Sequence, residues 1–278
     1  MRVLLAVGVV ALSLGCSRGV RPDSEVAGTK PTTGKVYTNE AGEKITLIAL
    51  EPGDAKKALV AFEGTKSELD GQVLVAGVDT QQRRAVEYWT MWRGHKQRFV
   101  TVHDRGGYED LVFSGVNHTG YTHLKPDTGK TGALKVEKVF ERYQDLEGEK
   151  KYQGLLAFDR KFWTSQAETQ LSEAIAATNK ACGSKLTSTV AWDSITDAQI
   201  NKMSFGSYCV GPMESLQKLC ERSDEAKRAV QQKLQAVECR LDDAKAALKM
   251  EAQKVIWSVT ADRTVQSDET TTFFTDNL

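Results

Sequence analysis

The chain has no surplus of either charge: Lys+Arg and Asp+Glu each number 37, and no long run of one sign occurs. Without a basic stripe nothing is set up to neutralise a phosphate backbone, so nucleic acid is excluded as a partner. Histidine is scarce, four residues in all. The sequence also lacks H-E-x-x-H, G-x-S-x-G, C-x-x-C and an EF-hand loop, the common signatures of zinc proteases, serine hydrolases, thiol oxidoreductases and calcium sensors. Gly129-Lys130-Thr131 ends like a phosphate-binding loop, but that motif needs a glycine where Leu124 stands, so it reads as a polar turn. Past its first residues the chain has no apolar run near the ~18 residues of a membrane helix. No cofactor is implied.

What is present is an ordinary globular composition, 40% hydrophobic and 27% charged, behind a distinctive start. Arg2 precedes an apolar stretch, Val3 to Leu14, closed by Gly15-Cys16. The stretch is too short to cross a bilayer of ~30 Å and reads as a cleavable signal. Leu12-Ser13-Leu14-Gly15-Cys16 resembles the lipobox of bacterial lipoprotein precursors, with Ser13 and Leu14 exchanged relative to the usual order. The resemblance implies lipidation of Cys16, cleavage before it, and attachment to a membrane through that lipid. Ser17, in place of an Asp beside the cysteine, resembles the pattern that permits sorting to the outer membrane.

Residues 17–34, rich in Pro, Gly, Thr, Ser and charge, lack apolar periodicity and are expected to form a flexible tether. Residues 35–130 carry short branched or aromatic runs separated by Pro52-Gly53, Gly64, Asp70-Gly71, Arg93-Gly94 and Gly106-Gly107. These are strands and turns, and they suggest an antiparallel β-rich domain, a sandwich or a partial barrel. Over 131–182 the period becomes helical. One helix is expected at about 134–145, and a longer one ends at Cys182 with Gly183 as its C′ residue. Ser165-Gln166-Ala167-Glu168 fits a capping box where that helix would restart.

Residues 183–278 mix both types. Lys185 to Trp192 alternates as a strand, Gly211-Pro212 opens a helix with proline at its first position, and Ser223 caps a further helix. Residues 235–253 admit either a long helix or a strand at Val237-Cys239-Leu241, and the strand is preferred because it turns the sulfur inward. Lys254 to Thr260 is a strand, and 268–278 a short terminal helix or a frayed end. The fold class is therefore α+β.

Four cysteines, Cys182, Cys209, Cys220 and Cys239, fall in this last region. An even number in one part of an exported chain reads as two disulfides. Of the three possible pairings, Cys182–Cys209 with Cys220–Cys239 is favoured, each bridge tying a helix to the sheet. The order FDRKFW, NKACGSKL, a strand ending AWD, SYCVGPMESLQKLC, VECRL and a closing Trp-containing strand resembles a group of bacterial surface lipoproteins of unknown function. The likeness covers about 158–278 and implies a module with two disulfides, but no activity.

Two weak sites remain. His103, Asp104, His118 and His123 hold the elements of a metal or acid–base centre, although the five-residue spacing of His118 and His123 would put them on opposite strand faces. Tyr88, Trp89 and Trp92 could stack on a sugar or peptide from an outward face. The sequence thus reads as a lipid-anchored envelope protein that binds or scaffolds an envelope protein or glycan without catalysis. The alternative is an envelope hydrolase or metal enzyme using the histidine group.

Overall fold

The computed structural model describes residues 24–52, 56–115, 120–202, 205–242, 244–260 and 267–278. The signal segment, Cys16 and His118 lie outside them. The chain divides into two compact units: residues up to Thr90 with Gln97–Gln153, and Met91–Lys96 with Gly154–Leu278.

The first unit is a closed antiparallel barrel, neither a sandwich nor a partial barrel. Its eight strands are β1 (Lys30–Thr38), β2 (Lys44–Glu51), β3 (Lys57–Glu63), β4 (Val73–Asp79), β5 (Ala85–Trp92), β6 (His95–Asp104), β7 (Glu109–Ser114) and β8 (Tyr121–Pro126), joined in chain order. Closure comes from β8 returning to β1, Tyr37 opposite Pro126 and Thr38 opposite Lys125. Closing the sheet removes both edges, which a sandwich leaves to be protected. The expected tether is ordered over its second half. Ser24–Ala27 forms a turn with Val26 fully buried, and Lys30–Gly34 opens β1.

The branched runs of β2 and β3 are buried on both faces. Inward side chains fill the barrel, and part of the outer face is covered by helix. Gly34 marks the contact: a Cβ there would lie 2.4 Å from Leu134 Cδ2, so glycine lets the Leu134 side chain rest directly on the β1 backbone. Two helices belong wholly to this unit, α1 (Thr128–Gly132) and α2 (Val136–Glu147), the second burying Phe140 and Tyr143. The helical stretch expected over 131–182 is therefore shared between the units, with the division inside α3 (Lys150–Leu156).

In the second unit α4 (Arg160–Cys182) begins at Asp159, whose side chain accepts from the Phe162 amide at 3.0 Å. The helix does not restart at Ser165 as the capping pattern suggested, because an acceptor six residues earlier already satisfies its first amides. Gly183 ends it in the left-handed conformation, φ 64°, and Cys182 is fully buried. After α4 come β9 (Thr187–Val190), a single turn at Trp192–Ser194, α5 (Asp197–Lys202), α6 (Phe205–Arg222) and α7 (Asp224–Lys233). They are followed by β10 (Ala236–Leu241), β11 (Ala247–Glu251), β12 (Lys254–Val259) and α8 (Ser267–Asn277). The expected strand to Trp192 is shorter, since the chain turns before that residue. The sheet order is β11-β12-β10-β9, with β10 parallel to both neighbours. Cys239 points inward from β10, 1% exposed, as the strand reading required.

Two expectations fail in α6. Pro212 lies inside the helix rather than at its start. It deprives the Tyr208 carbonyl of its helical donor without ending the helix, and α4 packs along the same stretch, Thr178 Oγ1 donating to Met213 O at 3.1 Å. Cys209 consequently sits on α6 together with Cys220. The bridges are Cys182–Cys220 and Cys209–Cys239, with Cα–Cα distances of 5.1 and 5.8 Å, not the pairing favoured from sequence. One joins two helices and the other joins helix to sheet.

Candidate functional site

Inward-facing positions follow from the register. Tyr37, Leu47, Ala58, Val78, Tyr88, Val102 and Glu109 all line one cavity of about 440 Å³ inside the barrel. An eight-stranded barrel has an interior that side chains can either fill or leave open for one small ligand, and here both occur. Toward one end Phe62 and Phe113 meet with ring centroids 5.6 Å apart. Toward the other, valines, alanines and Leu47 leave the space open. The volume lies in the range of small-molecule sites.

A polar group sits in this apolar wall. Glu109 at the start of β7 accepts a hydrogen bond from Tyr37 Oη at 2.8 Å and from Lys35 Nζ at 2.7 Å. The lysine hydrogen bond is the chief reason its carboxyl is held below the usual range, with the Tyr37 hydroxyl adding to it against the cost of burial. Tyr37 is 1% exposed, and burial first, then Glu109, drives its phenol pKa far upward, so it remains a donor. Burial raises Tyr88 likewise. Among the described residues the Tyr88 hydroxyl has no hydrogen-bond partner, although it faces the cavity within electrostatic reach of Glu109. It is the one donor in the group left to a ligand.

No family model, curated protein or solved structure matches this chain. Its site is read from its own atoms.

Of the aromatics singled out in the sequence, only Tyr88 lines the cavity. Trp89, next along β5, points to the other face, where its Nε1 donates to Glu87 at 3.1 Å and its ring lies 5.7 Å from the Arg98 guanidinium. Trp92 is 1% exposed, a core residue. The three do not form a stacking platform. Glu87, 5% exposed, is a polar centre the sequence did not reveal, bonded to Gln82, Trp89 and Arg98.

The histidine group does not converge. His103 and Asp104 are consecutive in β6 and so lie on opposite faces. Asp104 caps its own turn through Gly106 N at 2.8 Å, and His123 Nδ1 pairs with Asp110 at 3.0 Å. Among the described residues no cluster of three or more His, Cys, Asp or Glu could hold a metal, and His118 lies outside them. His95, the fourth, stacks on Trp163 at 4.1 Å, and burial holds its pKa down. Gly129-Lys130-Thr131 forms α1, where Asp127 accepts from Lys130 N at 2.8 Å, taking an amide that a phosphate would need.

Lys35, Tyr37 and Glu109 were missed. Their signal is faint: Lys35 and Tyr37 share a strand face by their spacing of two, but nothing local tells that Glu109, 72 residues beyond Tyr37, curls back to meet them.

Proposed function

We propose that this chain is an exported, lipid-anchored binding protein of the bacterial envelope, and that its barrel carries a small molecule. The observation behind this reading is the open cavity whose wall holds a polar group built on the buried Tyr37, with one unused donor, Tyr88. The alternative, a hydrolase or metal enzyme, is the weaker reading, because the described members of its histidine group do not converge. Export is supported by the lipobox-like start and by two disulfides, which persist in oxidising compartments. The disulfide module accords with the surface-lipoprotein likeness noted above. Outer-membrane placement rests on Ser17 alone.

The test is native mass spectrometry of the protein extracted from its own cells. A co-purifying small molecule, absent from a Val86→Trp variant whose barrel still folds, is expected. A ligand-free spectrum from both proteins would remove the carrier reading and leave scaffolding.

A further inference from the structure

We infer that the barrel takes an uncharged amphiphile, an apolar body ending in a hydroxyl or amide, with that polar end held between the Tyr88 hydroxyl and the Glu109 carboxylate. This rests on the carrier reading and adds the chemistry of the ligand.

The wall chooses the body. Leu47, Val78, Val86 and Val102 face the cavity, and an apolar ligand gains about 25 cal/mol for each Å² it removes from water there. The polar group chooses the end. Lys35 and Glu109 cancel each other's charge at 2.7 Å, so beside Tyr88 this pair offers hydrogen bonds without net charge. An entering anion would meet the Glu109 carboxylate, and that carboxylate already feels the negative field of Asp104. An entering cation would have to displace Lys35, which is held on the same fold and needs no capture from solution. The other lysines on the lining are held by neutral oxygens, Lys57 Nζ by Glu25 O at 2.6 Å and Lys56 Nζ by Thr80 Oγ1 at 3.2 Å, and Glu51 shares that lining with them.

A neutral end fits what is left over. Tyr88, kept protonated, can donate one hydrogen bond. A carboxylate offers about four lone-pair sites, of which Tyr37 and Lys35 take one each. A hydroxyl or primary amide both accepts from Tyr88 and donates to Glu109. An ester or ketone can do only the first, and an alkane neither.

The experiment uses the full chain carrying Cys16→Ala, so that no attached lipid competes, and N-phenylnaphthylamine as a neutral fluorescent probe. Dye fluorescence is expected to rise on binding. Decanol and decanamide should displace the dye about ten-fold more effectively than decanoate or decyltrimethylammonium. Tyr88→Phe should remove most of that advantage, with dye affinity measured separately in each protein so that displacement is compared at equal dye occupancy. Equal or better displacement by either charged chain, or a Tyr88→Phe variant that still prefers decanol, overturns the inference while the carrier reading stands. No dye binding, or binding unaltered by Val86→Trp in a protein with an unchanged circular dichroism spectrum, overturns both.

Discussion

Cys209 and Cys220 stand eleven residues apart on α6, three helical turns, and so share one face while bonding to different partners. One face of a single helix is thereby stapled to α4 near its C-terminal end and to β10 nearer its start. The two covalent loops span 38 and 30 residues and overlap between Cys209 and Cys220.

Non-reducing peptide mapping should therefore return Cys182–Cys220 and Cys209–Cys239. Removing either bridge by paired alanine substitution should cost about 3–4 kcal/mol in the chain-entropy view. Removing both should cost less than the sum, because the closed loops share a segment. A Cys182–Cys209 peptide, or strictly additive losses in urea unfolding, would contradict this arrangement.

The same helix shows how far local sequence signals reach. The Gly211-Pro212 pair is a sound start signal, and it placed Cys209 in a loop. The helix had in fact begun at Phe205 and runs through the proline, because packing against α4 outweighs one lost hydrogen bond. The alternation of Val237, Cys239 and Leu241 held, and they lie in β10, whereas Trp192, the last of another alternating run, lies in a turn. Seven of the eight barrel strands were visible as β-rich runs, but β1 was not, its first residues having read as tether. Closure depends on Tyr37 and Thr38 of that strand meeting residues near 125, a pairing no window of neighbouring residues contains. The site inherits that blindness. Tyr88 stood out as one of a run of aromatics, whereas Lys35, Tyr37 and Glu109 acquire meaning only when the sheet curls.

The β5–β6 turn gives a second prediction. Arg93 and Gly94 both have positive φ, 45° and 82°, as a two-residue hairpin turn of type I′ demands. A Cβ on Gly94 would fall 2.7 Å from Phe158 Cβ and 2.8 Å from its Cα. Gly94→Ala should lose about 1–2 kcal/mol to backbone strain and about 1–3 more to overpacking. Gly106, φ 76° with nothing within 4 Å of a built Cβ, is the control that carries the strain alone. Equal losses at the two positions in urea titrations would mean that Phe158 yields without cost.

A third prediction concerns acid. Glu109 has a folded pKa below its ordinary 4.5, chiefly through the Lys35 hydrogen bond. Its contribution is complete above that ordinary value and is lost as pH falls through the depressed one. The melting temperature of the barrel should drop through this window, and Glu109→Gln should flatten that part of the curve. Parallel wild-type and variant curves from neutral pH to about pH 3 would assign the acid loss to other carboxylates.

The anchor is tested at Cys16. Cys16→Ala removes the acceptor sulfur, and with it the acyl chains that would each contribute ~0.8 kcal/mol per buried CH₂. The variant should leave the membrane fraction in high salt. Quantitative retention there would refute lipidation as the means of attachment.

The barrel is held shut unevenly. Where β1 meets β8 there are two paired positions, one of them Pro126, which has no N–H to give. The join is completed from α1's end of the chain, by Asp127 N to Val36 O at 2.8 Å and by the Thr131 hydroxyl accepting from Val36 N at 3.0 Å. This seam works as a zip fastener whose last teeth are a proline and a threonine hydroxyl, and it should part at a free energy well below that of global unfolding. Tyr37 is a tooth of that zip and, through Glu109, a wall of the cavity, so a molecule that grips the inner hydrogen bonds also latches the cylinder from within.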